Sequence, residues 1–213
     1  MKKLLFLIPL LSITLLFSGC GKQTTSDACP ISSGSFSCGT TSGGIDHSDF
    51  TGAVNSVLLS LKNQNFATLT TFVGSQGLRF SPYENVNIGT DVVLSTGEVE
   101  NALSISRSYL WGNYDGSGEP IDLGIGQYFE KFVTDADWAT APEINYNQST
   151  QRGNIINNIS AVYPGTQSKW VEFYFSGFDA QYGGMDRKSL TLVFQNLDGQ
   201  RYLIGIVHGQ RTI

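Results

Sequence analysis

The chain has 213 residues, a formal net charge of -5, 12% aromatic residues and 15% charged residues. This length allows one domain with a full hydrophobic core. Lysine and arginine form no basic patch in the sequence, which argues against binding to nucleic acid or electrostatic binding to anionic lipid. The 24 glycines and the aromatic content are typical of a β-rich exported domain.

The N terminus has the pattern of a signal peptide. Lys2 and Lys3 precede an apolar run over residues 4–17, which is short for a membrane span of about 20 residues. The segment Leu16-Phe17-Ser18-Gly19-Cys20 resembles a bacterial lipobox, in which the cysteine is lipidated and the chain is cut just before it. The resemblance implies a signal peptide over 1–19 and a lipid on Cys20 that holds the chain to the cell or outer membrane, outside the cytoplasm. An ordinary secretory signal and a membrane-spanning anchor are the alternatives.

The next segment, residues 20–45, is predicted to be a flexible tether. It is rich in Ser, Thr and Gly and nearly free of large apolar side chains, so it cannot bury enough surface to fold. If Cys20 is lipidated, Cys29 and Cys38 remain as a pair. An exported chain lies in an oxidising compartment, so a disulfide between them is expected, with two free thiols as the alternative. A single folded domain is expected over 46–213.

Two amphipathic stripes predict the main helices. Apolar residues recur at helical spacing over 50–61 and 125–133. Asp46 or Ser48 is the candidate N-cap of the first helix, and Asp122 that of the second. Shorter helices are expected over residues 66–73, 96–103 and 154–159.

The last third of the chain has the alternation of β-strands, and shorter strands are expected over 77–83, 91–94 and 109–114. Over residues 170–175, the two faces carry Val171, Phe173 and Phe175 on one side and Trp170, Glu172 and Tyr174 on the other. The next strand places Leu190, Leu192 and Phe194 on one face. Asp198-Gly199 marks a turn, and residues 201–208 return with Tyr202, Ile204, Ile206 and His208 expected on a shared face.

Helices followed by antiparallel strands predict an α+β domain with helices packed on a curved antiparallel sheet. The order resembles the NTF2-like cone, in which a bent sheet wraps a helix and leaves a pocket at one end. A cystatin-like packing of a helix on a sheet is the alternative. Such folds host enzymes, binding proteins and scaffolds alike, so the fold alone assigns no function.

Several local blocks resemble an uncharacterised family of bacterial envelope proteins, many of them lipoproteins. The blocks are residues 77–83, Gly184-Met185-Asp186 with Ser189-Leu190, and 202–213. In that family tryptophan often stands where this chain has Arg187 and Arg211. If those aromatics belong to a site, this chain has altered it. The family implies no known reaction.

The sequence carries no strong motif for catalysis or for a cofactor. It lacks a Gly-x-Ser-x-Gly elbow and a phosphate-binding Gly-Lys-Ser/Thr loop. With two histidines and no His-x-x-x-His or Cys-x-x-Cys pair, a metal site is not expected. We therefore expect no cofactor and no metal.

His208 is the most notable single residue. If its face lines the interior of a cone, its ring lies at the mouth and can bind a ligand or transfer a proton. A histidine satisfied by a neighbour at a strand end is the structural alternative. Arg79, Tyr83 and Glu130 are polar residues from other elements that are candidates to converge with it.

Two functions remain open from the sequence. The first is a membrane-anchored lipoprotein with a soluble domain that binds an envelope protein or a small ligand. The second is an NTF2-like enzyme that uses His208 with Asp186 or Glu130 as an acid–base pair, which requires these groups to meet around one pocket. A purely structural envelope protein without a pocket is a third, weaker possibility.

Overall fold

The structure, a computed structural model, describes residues 49–153 and 155–211. The signal peptide, Cys20, Cys29, Cys38, the tether and the domain boundary at residue 46 lie outside the described residues, so they stay predictions. Within the part of the chain that is described, no helix is long and apolar enough to cross a membrane.

Five α-helices occur in the described residues: α1 Phe50–Lys62, α2 Phe66–Thr70, α3 Thr96–Glu100, α4 Ile125–Phe132 and α5 Ile159–Val162. The carboxylate of Asp49 caps α1 by accepting hydrogen bonds from the N–H groups of Thr51 and Gly52, a role predicted for Asp46 or Ser48. The cap residue of α4 is Gly124, and not Asp122, which lies in the preceding strand. The helix predicted from residue 154 begins only at Ile159.

Within the described ranges, eight strands form two sheets: β1 Leu78–Ser81, β2 Val92–Leu94, β3 Ser108–Asn113, β4 Pro120–Gly124, β5 Glu143–Tyr146, β6 Ser168–Phe175, β7 Lys188–Leu197 and β8 Gln200–Gln210. The large sheet has the order β2-β1-β8-β7-β6-β5, and β3 and β4 form a separate hairpin. All pairs are antiparallel except β1–β8. Because β1 pairs in parallel with the last strand, the sheet is not a simple meander. The fold is the α+β arrangement predicted from the sequence, with helices packed on a curved, mainly antiparallel sheet.

One face of the large sheet, which we call the helix face, packs against the helices. The predicted alternation of β6 and β7 is confirmed, since Val171, Phe173, Leu190, Leu192 and Phe194 all join this core. The core also holds a group of aromatic rings, in which Trp111 stacks on Tyr128 with their centroids 3.8 Å apart. Both rings are 1% exposed and belong to the packed core.

The expected alternation along β8 is wrong because the strand contains a bulge. Phe194 pairs with Leu203 and Val193 pairs with Gly205, which leaves Ile204 as the extra residue. A bulge reverses the alternation beyond it. Leu203 and Ile206 therefore lie together in the helix-face core, whereas Ile204 packs with Val207 on the opposite side.

The opposite side of the sheet, the outer face, has a smaller core of its own. Trp170, Val193 and Val207 pack there under Val86, Ile159 and Tyr163. The covering segments are joined by the Asn158 side-chain amide, which donates to the Val86 carbonyl at 2.9 Å and accepts from its N–H at 2.8 Å. The outer face is thus partly covered, and its uncovered end is where polar side chains gather.

Candidate functional site

His208 lies in the packed interior and not at the mouth of a pocket. It is 1% exposed, and its ring packs edge-on against Phe132 with centroids 5.4 Å apart. Nδ1 lies 3.3 Å from the Pro82 carbonyl oxygen, and Nε2 lies 3.2 Å from Oδ2 of Asp135. The β8 bulge causes this placement, because it turns His208 toward the aromatic core.

The carboxylate at His208 is Asp135, a residue that sequence reasoning missed. Lys188 Nζ also contacts Oδ2 of Asp135, at 2.6 Å. Burial alone would raise the pKa of Asp135, but the hydrogen bonds from His208 and Lys188 hold it below its ordinary value. This cluster ties the segment after α4 to β7 and β8, and neither Asp186 nor Glu130 belongs to it.

The predicted acidic partners lie elsewhere. Asp186 Oδ2 accepts hydrogen bonds from the N–H groups of Phe178 and Asp179, each at 2.8 Å, and so orders its own loop. Glu130 is on an exposed position of α4. An acid–base pair of His208 with either residue is therefore not formed in this structure.

Arg79 and Tyr83 are also committed to structural contacts. Arg79 Nη1 donates to the carbonyls of Ile88 and Asp91 at 3.2 and 3.3 Å. The Tyr83 hydroxyl accepts from the Asp115 N–H at 3.1 Å, and its ring packs against Phe132. Of the four residues expected to converge, only Tyr83 and His208 come near each other, through that shared ring.

A different cavity is the best candidate site. It has a volume of about 400 Å³ and is lined by Arg152, Gly153, Ile155, Tyr174, Ser176, Gly183, Gly184, Arg187 and Arg211. We call it the arginine cavity, because three of the six arginines in this acidic chain line it and none of the described carboxylates does. Glu143 and Glu172 balance Arg152, whereas Arg187 and Arg211 add positive charge to a concave site, which favours negatively charged ligands.

Strand ends bring these residues together. Lys188 at the start of β7 pairs with Gln210 at the end of β8. The Arg211 N–H donates to the Arg187 carbonyl one step beyond this pair, at 3.4 Å. Two arginines thus lie opposite each other, an arrangement that is destabilising for like charges unless something balances them.

Arg152 reaches the cavity from the loop after β5 and is held by acidic partners. Its Nη2 contacts Glu143 and lies 3.0 Å from Oε2 of Glu172, and its guanidinium lies 3.6 Å from the Tyr174 ring centroid. Burial would lower the pKa of Arg152, but its hydrogen bonds to Glu172 and Glu143 raise it above the ordinary value. Arg152 is therefore a fixed positive charge in the wall of the cavity.

Arg187 is the most unusual residue of the site. It is only 8% exposed, and its Nε donates to the Arg152 carbonyl at 2.9 Å. Its Nη1 is buried and has no hydrogen-bond partner among the described residues. Leaving a buried charged donor unpaired is costly, so this nitrogen is the feature of the cavity lining that most needs an explanation.

Glu84 is a buried carboxylate close to this group of charges. It is 5% exposed, and its Oε2 has no hydrogen-bond partner in the part of the chain that is described. Burial raises the pKa of Glu84, although the Arg187 charge acts in the opposite direction. Glu84 does not line the cavity, and among the described residues no salt bridge joins it to Arg187.

The arginine cavity was not predicted from the sequence. Its arginines are separated by 35 and 24 positions, and they form no local motif. The only sequence observation that concerns these arginines is that Arg187 and Arg211 stand where the resembled family often has tryptophan. Both of these residues line the cavity, and neither was proposed as a binding residue.

A larger cavity of about 640 Å³ lies at the other end of the β7–β8 pair, between residues 73–77 and the turn at Asp198. None of its lining residues has a buried polar atom without a partner. Its lining therefore carries no indication of a specific ligand, and the arginine cavity remains the candidate site.

Comparison with known proteins gives distant likeness only. No family model matches the chain, and no curated protein does. Among solved structures, a DUF4783 family protein from Bacteroides ovatus has a TM-score of 0.34 and 10% identity, covering 74% of this chain and 94% of its own. A DUF4783 family protein from Bacteroides uniformis has a TM-score of 0.34 and 9% identity, covering 75% and 97%.

An LEH-like epoxide hydrolase from M. tuberculosis is more distant, with a TM-score of 0.28 and 14% identity over 73% of this chain and 79% of its own. Similarity at this level assigns no activity, ligand or partner. The function of this chain has to follow from its own residues.

Proposed function

We propose that this chain is a lipid-anchored protein of the bacterial cell envelope whose domain binds a small anionic ligand in the arginine cavity. The anchor is the lipidated Cys20, and the tether over residues 20–45 holds the domain away from the membrane. The proposed role is binding, because the described lining of the cavity offers Ser176 and Tyr174 no histidine or carboxylate that would activate their hydroxyls.

The observation that carries the binding proposal is the buried, unpartnered Nη1 of Arg187. A carboxylate or phosphate oxygen supplies the acceptor that this nitrogen lacks, and a guanidinium binds such groups through two parallel hydrogen bonds. Arg211 lies beside it, and no described carboxylate forms a salt bridge with either residue. An anion would also relieve the repulsion between the two arginines.

The binding proposal is tested by calorimetric titration of the full chain in detergent with inorganic phosphate. Arg187→Gln and Arg211→Gln should each lower the affinity, by about 10-fold or more for loss of a hydrogen bond to a charged group. Arg107→Gln is the matched control, since Arg107 is exposed and contacts Glu98 away from the cavity. Equal losses in all three variants would refute the proposal, and so would absence of binding to both inorganic phosphate and an organic phosphate such as glucose 6-phosphate.

The anchoring proposal is tested separately by labelling cells with a radioactive fatty acid. Wild-type chain should be labelled and recovered with membranes, because two acyl chains give stable attachment. Cys20→Ala should be unlabelled and left uncut. A Cys29→Ala variant controls for labelling at another cysteine, and persistent label on Cys20→Ala would show that the anchor lies elsewhere.

A further inference from the structure

The lining of the arginine cavity restricts the chemistry of its ligand. Besides the arginines, it consists of three glycines, Ser176, Tyr174 and one aliphatic residue, Ile155. An acyl chain or another apolar group would find almost no apolar surface there. The lining therefore favours a ligand that is polar over most of its surface.

The volume excludes a good fit to a small inorganic ion. At about 30 Å³ per water molecule, a cavity of about 400 Å³ holds roughly a dozen waters. A phosphate ion bound between the arginines would leave most of this space filled with solvent. The cavity instead matches the lower part of the range of about 300–1,000 Å³ that is usual for small organic ligands.

Hydroxyl groups are available beyond the arginines. Neither the Ser176 hydroxyl nor the Tyr174 hydroxyl has a hydrogen-bond partner within the described ranges 49–153 and 155–211. Gly183 leaves the backbone open to close approach, since a Cβ at this position would have no heavy atom within 4 Å. These groups suit a ligand with many hydroxyls.

From the charge, the polar lining and the volume together, we infer that the arginine cavity binds an anionic sugar, that is, a sugar phosphate or a sugar acid. The phosphate or carboxylate contacts Arg187 and Arg211, and the sugar hydroxyls contact Ser176, Tyr174 and the glycine backbone. This inference rests on the proposed anion binding and adds the class of the ligand to it.

The test compares five probes on the full chain in detergent by titration calorimetry: glucose 6-phosphate, glucuronate, glucose, inorganic phosphate and octyl phosphate. Glucose 6-phosphate should bind at least 10-fold more tightly than inorganic phosphate or octyl phosphate, and glucose should bind far more weakly. Glucuronate distinguishes a carboxylate from a phosphate as the anionic group. Ser176→Ala should weaken glucose 6-phosphate about 2- to 10-fold through loss of one hydrogen bond and leave inorganic phosphate unchanged.

The outcomes separate the two proposals. Equal affinity for inorganic phosphate and glucose 6-phosphate would overturn the sugar inference but keep the anion site, and so would tightest binding of octyl phosphate. Equal affinity for glucose and glucose 6-phosphate would overturn the role of the arginines. If none of the five binds, the anion site itself fails, and the sugar inference fails with it.

Discussion

The position of Gly153 allows a test of the arginine cavity in which no charge is removed. A Cβ built on Gly153 would overlap Nη2 of Arg187 and lie 3.2 Å from its Cζ. The backbone at Gly153 is not in the left-handed region, so alanine can adopt its conformation. In Gly153→Ala the guanidinium therefore has to move, while the chain keeps all three arginines.

The size of the effect follows from the contacts of Arg187. Because its side chain is packed, a displacement of about 1 Å is enough to misalign its hydrogen bonds. Losing one hydrogen bond between the guanidinium and an anion costs about 1.5–3 kcal/mol, which corresponds to a roughly 10- to 150-fold weaker Kd. In Gly153→Ala the hydrogen bond from Arg187 Nε to the Arg152 carbonyl is also weakened, so the free energy of unfolding of this variant should fall by about 0.5–1.5 kcal/mol.

The assay is calorimetric titration of the full chain with glucose 6-phosphate, together with urea unfolding followed by circular dichroism. Gly165→Ala is the matched control, because a Cβ at Gly165 has no heavy atom within 4 Å. It should bind as the wild-type chain does. If Gly153→Ala also binds like the wild type while it folds normally, the placement of Arg187 does not determine binding and the reasoning is wrong.

Three further predictions concern stability. Burial raises the pKa of Glu84 above its ordinary value of 4.5, so the free energy of unfolding of the wild type should fall as the pH rises above 4.5. In urea unfolding, Glu84→Gln should no longer show this decrease. Glu130→Gln, which changes an exposed position, should still show it. Ser95 caps α3 and, with other hydrogen bonds, lowers the pKa of Glu98 to about 2. Ser95→Ala should lower the free energy of unfolding by about 1 kcal/mol and raise the pKa of Glu98 in an NMR titration. An unchanged pKa would contradict the role of Ser95 as a cap. Phe80 is fully buried among aromatic rings, so Phe80→Ala should lower the free energy of unfolding by about 3–5 kcal/mol, and a loss below about 1 kcal/mol would show that this core is loosely packed.

Periodicity predicted the elements whose burial is one-sided. The stripe of α1 and the alternation of β6 and β7 appear in the structure because each element has one face in the helix-face core. The strands β4 and β5 were missed, since Pro120–Gly124 and Glu143–Tyr146 alternate weakly and contain few buried residues. Their pairing partners, and not their own composition, decide their conformation.

The position of His208 shows that one inserted residue makes a prediction from the alternation of strand residues wrong. Its expected neighbours were Tyr202, Ile204 and Ile206, but the bulge at Ile204 separates Tyr202 and Ile204 from the face on which His208 lies. A bulge has no reliable sequence pattern in this strand, because the residues around it are apolar on both faces. The bulge also explains why His208 contacts Asp135 in the core and is buried from solvent.

The sequence by itself determined the α+β class, the main helices, the two-faced pattern of the central strands and the prediction of a lipidated Cys20, because these depend on residues that are near one another in the chain. Only the tertiary structure decided where the candidate site lies. Arg152, Arg187 and Arg211 meet because the start of β7 lies beside the end of β8 and the loop after β5 folds over that end of the sheet. The burial of Arg187 and the missing partner of its Nη1 depend on contacts between distant segments, and no local pattern of residue types encodes them.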